Sequence, residues 1–368
     1  MDNLISFNYY YENSEKVLNM NKMKAFVVKA PKEYSVELID IPEPVDNEVL
    51  VKLETSGVCH TDLHIANFDW PRQPNYPMVP GHEGIGIVTK VGPNCTKIKV
   101  GDRVGVGYMY SACGQCEYCI SGKEILCVSR VVTSLVKPGT FAEYTIGHED
   151  YVLPIPKELD IVSGAPILCG GVTSYKALKQ AELKVGDYVA IIGIGGLGHF
   201  AISYAKAMGL NIVAIDIDDK KLESAKYEGA HYIYNANDLS FVQEVKELTN
   251  GGVHAVINTS VSTSSASLAM YILRRAGRQV LVGVPPKDEN GKIEFPLSIL
   301  GTISGEQHVL GSVVGTRQDT KEALILGTKG IVSKIGRIIS LDEVKDVFEQ
   351  LAKGELIGRA VIDFRSYK

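Results

Sequence analysis

No apolar run in this 368-residue chain approaches the roughly 18 residues that a membrane-spanning helix needs. Positive charge is also not in excess. The 38 Lys and Arg are outnumbered by 43 Asp and Glu, a formal net charge of −5, so nothing draws the chain to a polyanion and nucleic acid is not an expected partner. Residues 1–22 lack the apolar core and small-residue cleavage site of a secretory leader, and the Arg-rich, acid-poor character of a transit peptide. Rich in Asn and Tyr (Tyr9, Tyr10, Tyr11), they read as an N-terminal tail ahead of a start at Met20 or Met23, and the expected location is cytoplasmic. Tryptophan occurs once, at Trp70. The seven cysteines are too few, in too long a chain without a secretory leader, for a disulfide framework, and metal sites are the better account.

The 45% hydrophobic and 22% charged content is that of a globular protein, and the length suits two domains. From Lys24 to about Gly171 the runs are strand-length, as in Ala25–Val28, Glu48–Leu53 and Gly84–Val88. Turn signals such as Pro80-Gly81, Gly92-Pro93, Gly101-Asp102 and Pro138-Gly139 separate them. After Val172 apolar runs (Tyr188–Ile192, Ile212–Ile217, Tyr232–Tyr234, Ala255–Asn258, Val280–Val284) alternate with amphipathic stretches at 200–208, 220–228 and 241–248. That interval predicts an α/β domain with a doubly wound parallel sheet, to which 308–314 adds a sixth strand. A helix at 342–352 and a closing strand at 358–364 form a remainder too short for a domain, so it packs back on the first one. The expected division is 23–171 with 312–368 as a β-rich domain, and 172–311 as a nucleotide-binding domain.

The run from Val189 to Gly198 is a buried strand entering a G-x-G-x-x-G turn. Gly193 allows the tight turn, Gly195 lets backbone approach a pyrophosphate, and Gly198 lets the next helix lie close to the strand, with Gly196 and Leu197 between them. The helix then offers its free N–H groups and positive end to phosphate. Asp216 ends the next apolar run, where a carboxylate accepts ribose hydroxyls and repels a 2′-phosphate. No arginine follows it, and NAD is the expected cofactor.

Cys113-x2-Cys116-x2-Cys119-x7-Cys127 is enough to close a tetrahedral Cys₄ shell, which suits a structural zinc. An iron–sulfur cluster accepts the same thiolates. A nucleic-acid zinc ribbon is the third option, and Glu117 and Glu124 oppose a basic face for it. A catalytic zinc needs three protein ligands and an open position, and Cys59, His82 and Cys169 offer suitable donors. No local spacing requires those three to meet.

Read together, Gly57-Val58-Cys59-His60-Thr61-Asp62, Gly81-His82-Glu83-Gly84-Ile85-Gly86, the four-cysteine lobe, Leu168-Cys169-Gly170-Gly171-Val172-Thr173 and the Gly193 turn occur in one order. From about Met23 to Phe364 this order resembles the zinc-containing medium-chain alcohol dehydrogenases, especially the yeast and bacterial ethanol-type enzymes. The resemblance implies a GroES-like catalytic domain joined to a Rossmann domain, with two Zn²⁺ per subunit. Cys59, His82 and Cys169 match the ligands of the catalytic zinc, with Glu83 as the acidic residue behind it and Asp62 orienting His82. Cys113, Cys116, Cys119 and Cys127 match the structural zinc lobe. Thr61 and His64 match a relay that carries the proton of a zinc-bound alcohol to solvent by way of the cofactor ribose. His60 and Arg317 match groups near the cofactor phosphates, Thr173 sits behind the nicotinamide, and Lys221 and Val284 complete the cofactor contacts.

The implied function is an NAD-dependent oxidoreductase interconverting a small primary, ethanol-like alcohol and its aldehyde, in a homotetramer. Trp70 and Tyr108 align with bulky residues that narrow the substrate pocket, against the plainer reading that Trp70 packs the domain. Ser134-Leu135-Val136 stands where relatives commonly carry Gly-Tyr-Thr. A catalytically dead binding protein on the same fold is the rival reading, opposed by the intact Cys59, His82, Cys169, Thr61 and His64.

Overall fold

The apolar run Ala25–Val28 is buried on both faces, between the exposed Lys24 and Lys29. The strands Lys22–Ala30 and Glu33–Asp40 pair as an antiparallel hairpin, with Met23, Ala25, Phe26 and Val28 buried. The structure, a computed structural model, describes residues 21–69, 74–285 and 291–366. Trp70 and nearly all of the expected tail lie outside the described residues.

The eleven-residue strand Glu48–Val58 is the hub of the first body. It pairs antiparallel with Gly84–Val91, Tyr144–His148 and Arg359–Asp363. The seven-stranded sheet runs in the order Ile335–Ile339, Arg359–Asp363, Glu48–Val58, Gly84–Val91, Arg103–Val106, Leu153–Pro154, with Tyr144–His148 also on Glu48–Val58. Register shifts on Glu48–Val58 after Leu50 and Leu53 bend the sheet around a core of Val49, Val51, Leu53, Val88 and Val104. The last strand thus delivers Arg359 beside Val58, one residue from Cys59.

The second body is a six-stranded parallel sheet ordered Tyr232–Asn235, Asn211–Asp216, Tyr188–Ile192, Val253–Asn258, Leu273–Leu281, His308–Gly311. Helices cover both faces, so its central strands are buried throughout, as in Val189–Ile192 and Ile212–Ile215. Numbered along the chain the order is 3-2-1-4-5-6, which reverses direction beside Tyr188–Ile192. Ligands bind at such a switch point, outside the carboxyl ends of the strands. Among the described residues no helix is long and apolar enough to cross a membrane.

Two departures from the sequence reading bear on the site. The fifth strand of the second sheet starts at Leu273, not Val280, because Arg274, Arg275 and a left-handed Ala276 hide its apolar period. The helix His60–Asn67 lies in a region expected to be strand and turn; eight residues are too few to show a helical period. Asp62, three residues into it, accepts the Cys59 backbone N–H at 2.9 Å and secures its start.

Candidate active site and metal centres

Cys59 ends the hub strand and opens the helix His60–Asn67, while His82 and Glu83 immediately precede the neighbouring strand Gly84–Val91. Cys169 opens the helix Gly170–Gln180. These three places converge: one donor atom from each of Cys59, His82, Glu83 and Cys169 lies within 4.8 Å of every other, and all four residues are buried. The Cys59 and Cys169 sulfurs stand 3.9 Å apart. Asp62 receives His82 Nδ1 at 2.8 Å and the Gly81 N–H at 3.1 Å, which fixes the ring and leaves Nε2 as the donor. His82 Nε2 is buried with no hydrogen-bond partner among the described residues. An orphaned imidazole nitrogen between two thiols is costly unless a metal accepts its lone pair, so this donor set fits a zinc ion.

The hydrogen bond from Cys169 draws the Cys59 thiol well below its usual range, and Cys169 is pushed up by the same sharing. Burial lifts the Glu83 carboxyl to about 7 against the pull of the Arg359 guanidinium. Burial disfavours the His82 cation, but the Asp62 carboxylate outweighs it and raises the pKa.

The second group is the lobe of Cys113, Cys116, Cys119 and Cys127, whose sulfurs also lie within 4.8 Å of one another. Two sulfur separations are 3.5 Å (Cys116–Cys119) and 3.9 Å (Cys113–Cys119). Bonds of about 2.3 Å in a tetrahedral Zn–S₄ shell put sulfurs roughly 3.8 Å apart, and the lobe fits such an ion.

At the switch point Gly193 has φ +91°, and a side chain there would meet the Ser260 backbone at 2.8 Å. A Cβ on Gly195 would meet no protein atom within 4 Å, a cradle open to a ligand at the start of the helix Gly196–Ala207. Leu197 lies in that first turn and its carbonyl accepts from Ser174 at 2.8 Å; Thr173, beside Ser174, is buried. Asp216 joins this loop to the turn that follows its own strand: Oδ2 accepts the Ile194 N–H at 2.6 Å, and Oδ1 accepts those of Ile217 and Asp218. Lys221 is half-buried, its charge felt by His60, and Val284 is 45% exposed.

Arg317 is held by Glu124 of the cysteine lobe, through its backbone N–H at 2.9 Å and Nε at 3.2 Å, and its guanidinium lies 4.7 Å over the Tyr151 ring. The guanidinium against the glycine turn belongs to Arg359, which sequence reasoning missed. Side chains added at Gly170 or Gly196 would strike Arg359 at 2.5 and 2.7 Å. Its NH2 donates to both Glu83 oxygens at 2.6 Å and to the Val58 carbonyl at 3.0 Å, and its buried Nε has no partner among the described residues. An unsatisfied cationic donor beside the Gly195 cradle fits a nucleotide phosphate. Arg359 opens a closing strand and belongs to no motif; only its near-complete burial singles it out.

His60 and His64 share one helix face with ring centroids 4.9 Å apart, and burial, then the His64 charge, lowers the His60 pKa. Thr61 is half-buried beside them. Tyr108 meets the His82 ring edge-on at 5.8 Å and lines a cleft with Leu168, Val314 and Thr316. Ser134 is buried and adopts φ +67°, and Leu135 joins the core, while Val136 is exposed.

Two families match the chain: the alcohol dehydrogenase GroES-like domain over residues 45–157, and the zinc-binding dehydrogenases over residues 196–329. An alcohol dehydrogenase of Geobacillus stearothermophilus is 46% identical over 341 residues, 92% of this chain and 99% of that protein. The chain belongs to the zinc-containing alcohol dehydrogenases. Their two-part architecture, GroES-like and Rossmann, is the one described above. A cinnamyl alcohol dehydrogenase from Sorghum bicolor has the same fold, with a TM-score of 0.84, 29% identity and coverage of 94% of this chain and 99% of that one. A protein named CAD from Helicobacter pylori, complexed with NADP(H), gives a TM-score of 0.82 at 27% identity, covering 94% and 99%. As a zinc-containing alcohol dehydrogenase, this chain is an oxidoreductase that uses zinc and a nicotinamide nucleotide.

Proposed function

We propose that the chain interconverts a small primary alcohol, ethanol-like, and its aldehyde with NAD as the hydride carrier. The observation that carries this reading is the juxtaposition of the Cys59–His82–Cys169 donor set, the Arg359 guanidinium and the open Gly195 cradle. Zinc held by Cys59, His82 and Cys169 supplies Lewis-acid polarisation that lowers the pKa of an alcohol hydroxyl, and the nicotinamide supplies the hydride acceptor. Asp62 orients His82. Thr61 takes the alcohol proton at short range, and His64, part-exposed, hands it to solvent. Thr173 backs the nicotinamide, Arg359 and the glycine turn bind phosphate, and His60, Lys221 and Val284 line the nucleotide. Glu83 neutralises Arg359 behind the metal. A second zinc in the four-cysteine lobe is structural.

Preference for NAD rests on Asp216 and on Asp218 and Asp219 after it, a run of carboxylates that opposes a 2′-phosphate. Preference for small alcohols rests on Tyr108 against His82, with Trp70 as a second bulky wall. We take residues 23–171 with 312–368 as the catalytic domain and 172–311 as the nucleotide-binding domain. The cytoplasm suits seven unpaired thiols. A homotetramer suits Ile299, Leu300 and Ile303, each about 70% exposed or more, on the helix before the edge strand His308–Gly311.

The test follows NADH formation with ethanol, with NADP and with a bulky aromatic alcohol in parallel. Turnover with NAD and ethanol, lost in Cys59→Ser, supports the reading. Preference for NADP overturns the role given to Asp216, and preference for the aromatic alcohol overturns the narrow pocket. A light-scattering mass of one chain removes the tetramer.

A further inference from the structure

The helix His60–Asn67 ends in a way that brings one more charged group to His64. Phe68 adopts the left-handed conformation at φ 63°, ψ 31°, rare for an aromatic residue. The Phe68 N–H bonds the Ile65 carbonyl at 3.3 Å and the Asp69 N–H bonds the His64 carbonyl at 3.2 Å, a Schellman closure. Packing holds the left-handed residue in place: the Phe68 ring lies 5.7 Å from that of Tyr76, whose hydroxyl donates to the Ile65 carbonyl at 3.3 Å. The chain therefore doubles back over the last turn, and the Asp69 carboxylate returns to the side chain of the residue whose carbonyl its own N–H caps. Asp69 Oδ1 lies 2.6 Å from His64 Nδ1.

A carboxylate only accepts, so Nδ1 carries the proton of this hydrogen bond. We infer that Asp69 is a positioning residue for the proton relay, pinning His64 as its Nδ1–H tautomer so that protons are gained and lost at Nε2. The inference rests on the relay reading of His64. In the alcohol-oxidising direction Nε2 takes one proton from the relay, the imidazolium keeps its Nδ1–H on Asp69, and the same Nε2 proton leaves to water. The ring returns to its starting tautomer without rotating, and the charge it carries in between is met by the carboxylate. His60, the other titratable ring on this face, feels the charges of both Asp69 and Lys221 and makes no carboxylate hydrogen bond among the described residues.

The experiment uses the full-length, zinc-replete protein and four forms: wild type, Asp69→Ala, Asp69→Asn and His64→Gln, with Asp69→Ala/His64→Gln completing a cycle. Imidazole ¹⁵N NMR, with the His64 signals identified by their loss in His64→Gln, reads the tautomer directly. The expected result is an Nδ1–H ring in wild type and in Asp69→Asn, which keeps an oxygen acceptor, and a mixture shifted toward Nε2–H in Asp69→Ala. Alcohol oxidation by Asp69→Ala should lose roughly tenfold in kcat, a fraction of what a positioned acid–base group supplies, with the alcohol KM held within about twofold. Asp69→Asn should recover most of that loss, and Asp69→Ala should change nothing further in the His64→Gln background. A slow His64→Gln together with a wild-type tautomer and rate in Asp69→Ala overturns the assignment of Asp69 while sparing the relay. A fully active His64→Gln overturns the relay and with it any catalytic part for Asp69, whatever the tautomer.

Discussion

Glu83 and Arg359, 276 residues apart, form a buried ion pair in which one guanidinium nitrogen lies 2.6 Å from each carboxylate oxygen. The pair spans the boundary between the two kinds of chemistry in the molecule. Glu83 stands with Cys59, His82 and Cys169, the candidate metal donors, and Arg359 lies against Gly196 of the glycine turn. Charge at one centre is therefore felt at the other through a single contact of low dielectric.

Removing one partner of this pair leaves an uncompensated buried charge. Arg359→Leu should cost about 3–5 kcal/mol in denaturant unfolding of the zinc-replete protein, and Arg359→Leu/Glu83→Leu should regain much of it. Neither variant should bind the dinucleotide normally, which a fluorescence titration with NADH reads. A single variant as stable as wild type would show that water reaches the pair.

Asp62 is the next point of leverage. It accepts from the Cys59 N–H, the Gly81 N–H and His82 Nδ1, so it aligns two of the three candidate zinc ligands. Asp62→Ala should weaken metal retention at this centre about 10- to 100-fold, measured by competition with a chromogenic chelator. The four-cysteine lobe, which shares no hydrogen bond with Asp62 among those described, should keep its metal. Equal loss from both sites would mean a folding defect and not a ligand-orienting role.

Much of this was legible in the chain. The Tyr188–Ile192 strand, the Gly193 turn and Asp216 are local features whose physics is complete within some 30 residues, and the four-cysteine spacing is equally self-contained. What could not be read locally were the meetings. The approach of Cys59 to Cys169 depends on the hub strand and a helix 110 residues later, and the sequence supplied it only through family resemblance. Arg359 was invisible because a lone arginine at the start of a short strand is ordinarily solvated. The bond from Arg317 to Glu124 of the cysteine lobe joins residues 193 apart and had no local signal either. The helix His60–Asn67 was missed because two turns are too short to declare a period.

The two-zinc content is open to a direct count. Cys127 is the buried member of its lobe, and a serine there removes one thiolate from a shell that needs four. Cys127→Ser should retain about one zinc per chain against about two in wild type, by atomic absorption after dialysis. It should also loosen the lobe's tether to Arg317, seen as faster amide exchange at residues 316–320. Two zinc ions retained, or none, would contradict separate catalytic and structural sites.

The pH dependence of stability has a defined sign at Asp319. This carboxylate caps its own helix, accepting from the Thr316 N–H at 2.9 Å and hydroxyl at 2.8 Å, and receives Lys179 Nζ at 2.8 Å. Burial alone would raise its pKa, but the Lys179 and Thr316 bonds outweigh burial and hold it below the ordinary carboxylate range. A folded-state pKa depressed below the unfolded value contributes stability above the unfolded pKa of about 3.9, and that stability is lost as pH falls through the folded value. Asp319→Asn should therefore be about 1–3 kcal/mol less stable than wild type near pH 7, the cost of a hydrogen bond to a charged group. The gap should narrow only below about pH 4, as the wild-type carboxyl takes up its proton. Urea midpoints for both proteins at pH 7, 5 and 3.5 test this. A gap that closes between pH 7 and 5 would assign the linkage to histidine, and one that widens on acidification would reverse the sign of the Asp319 shift.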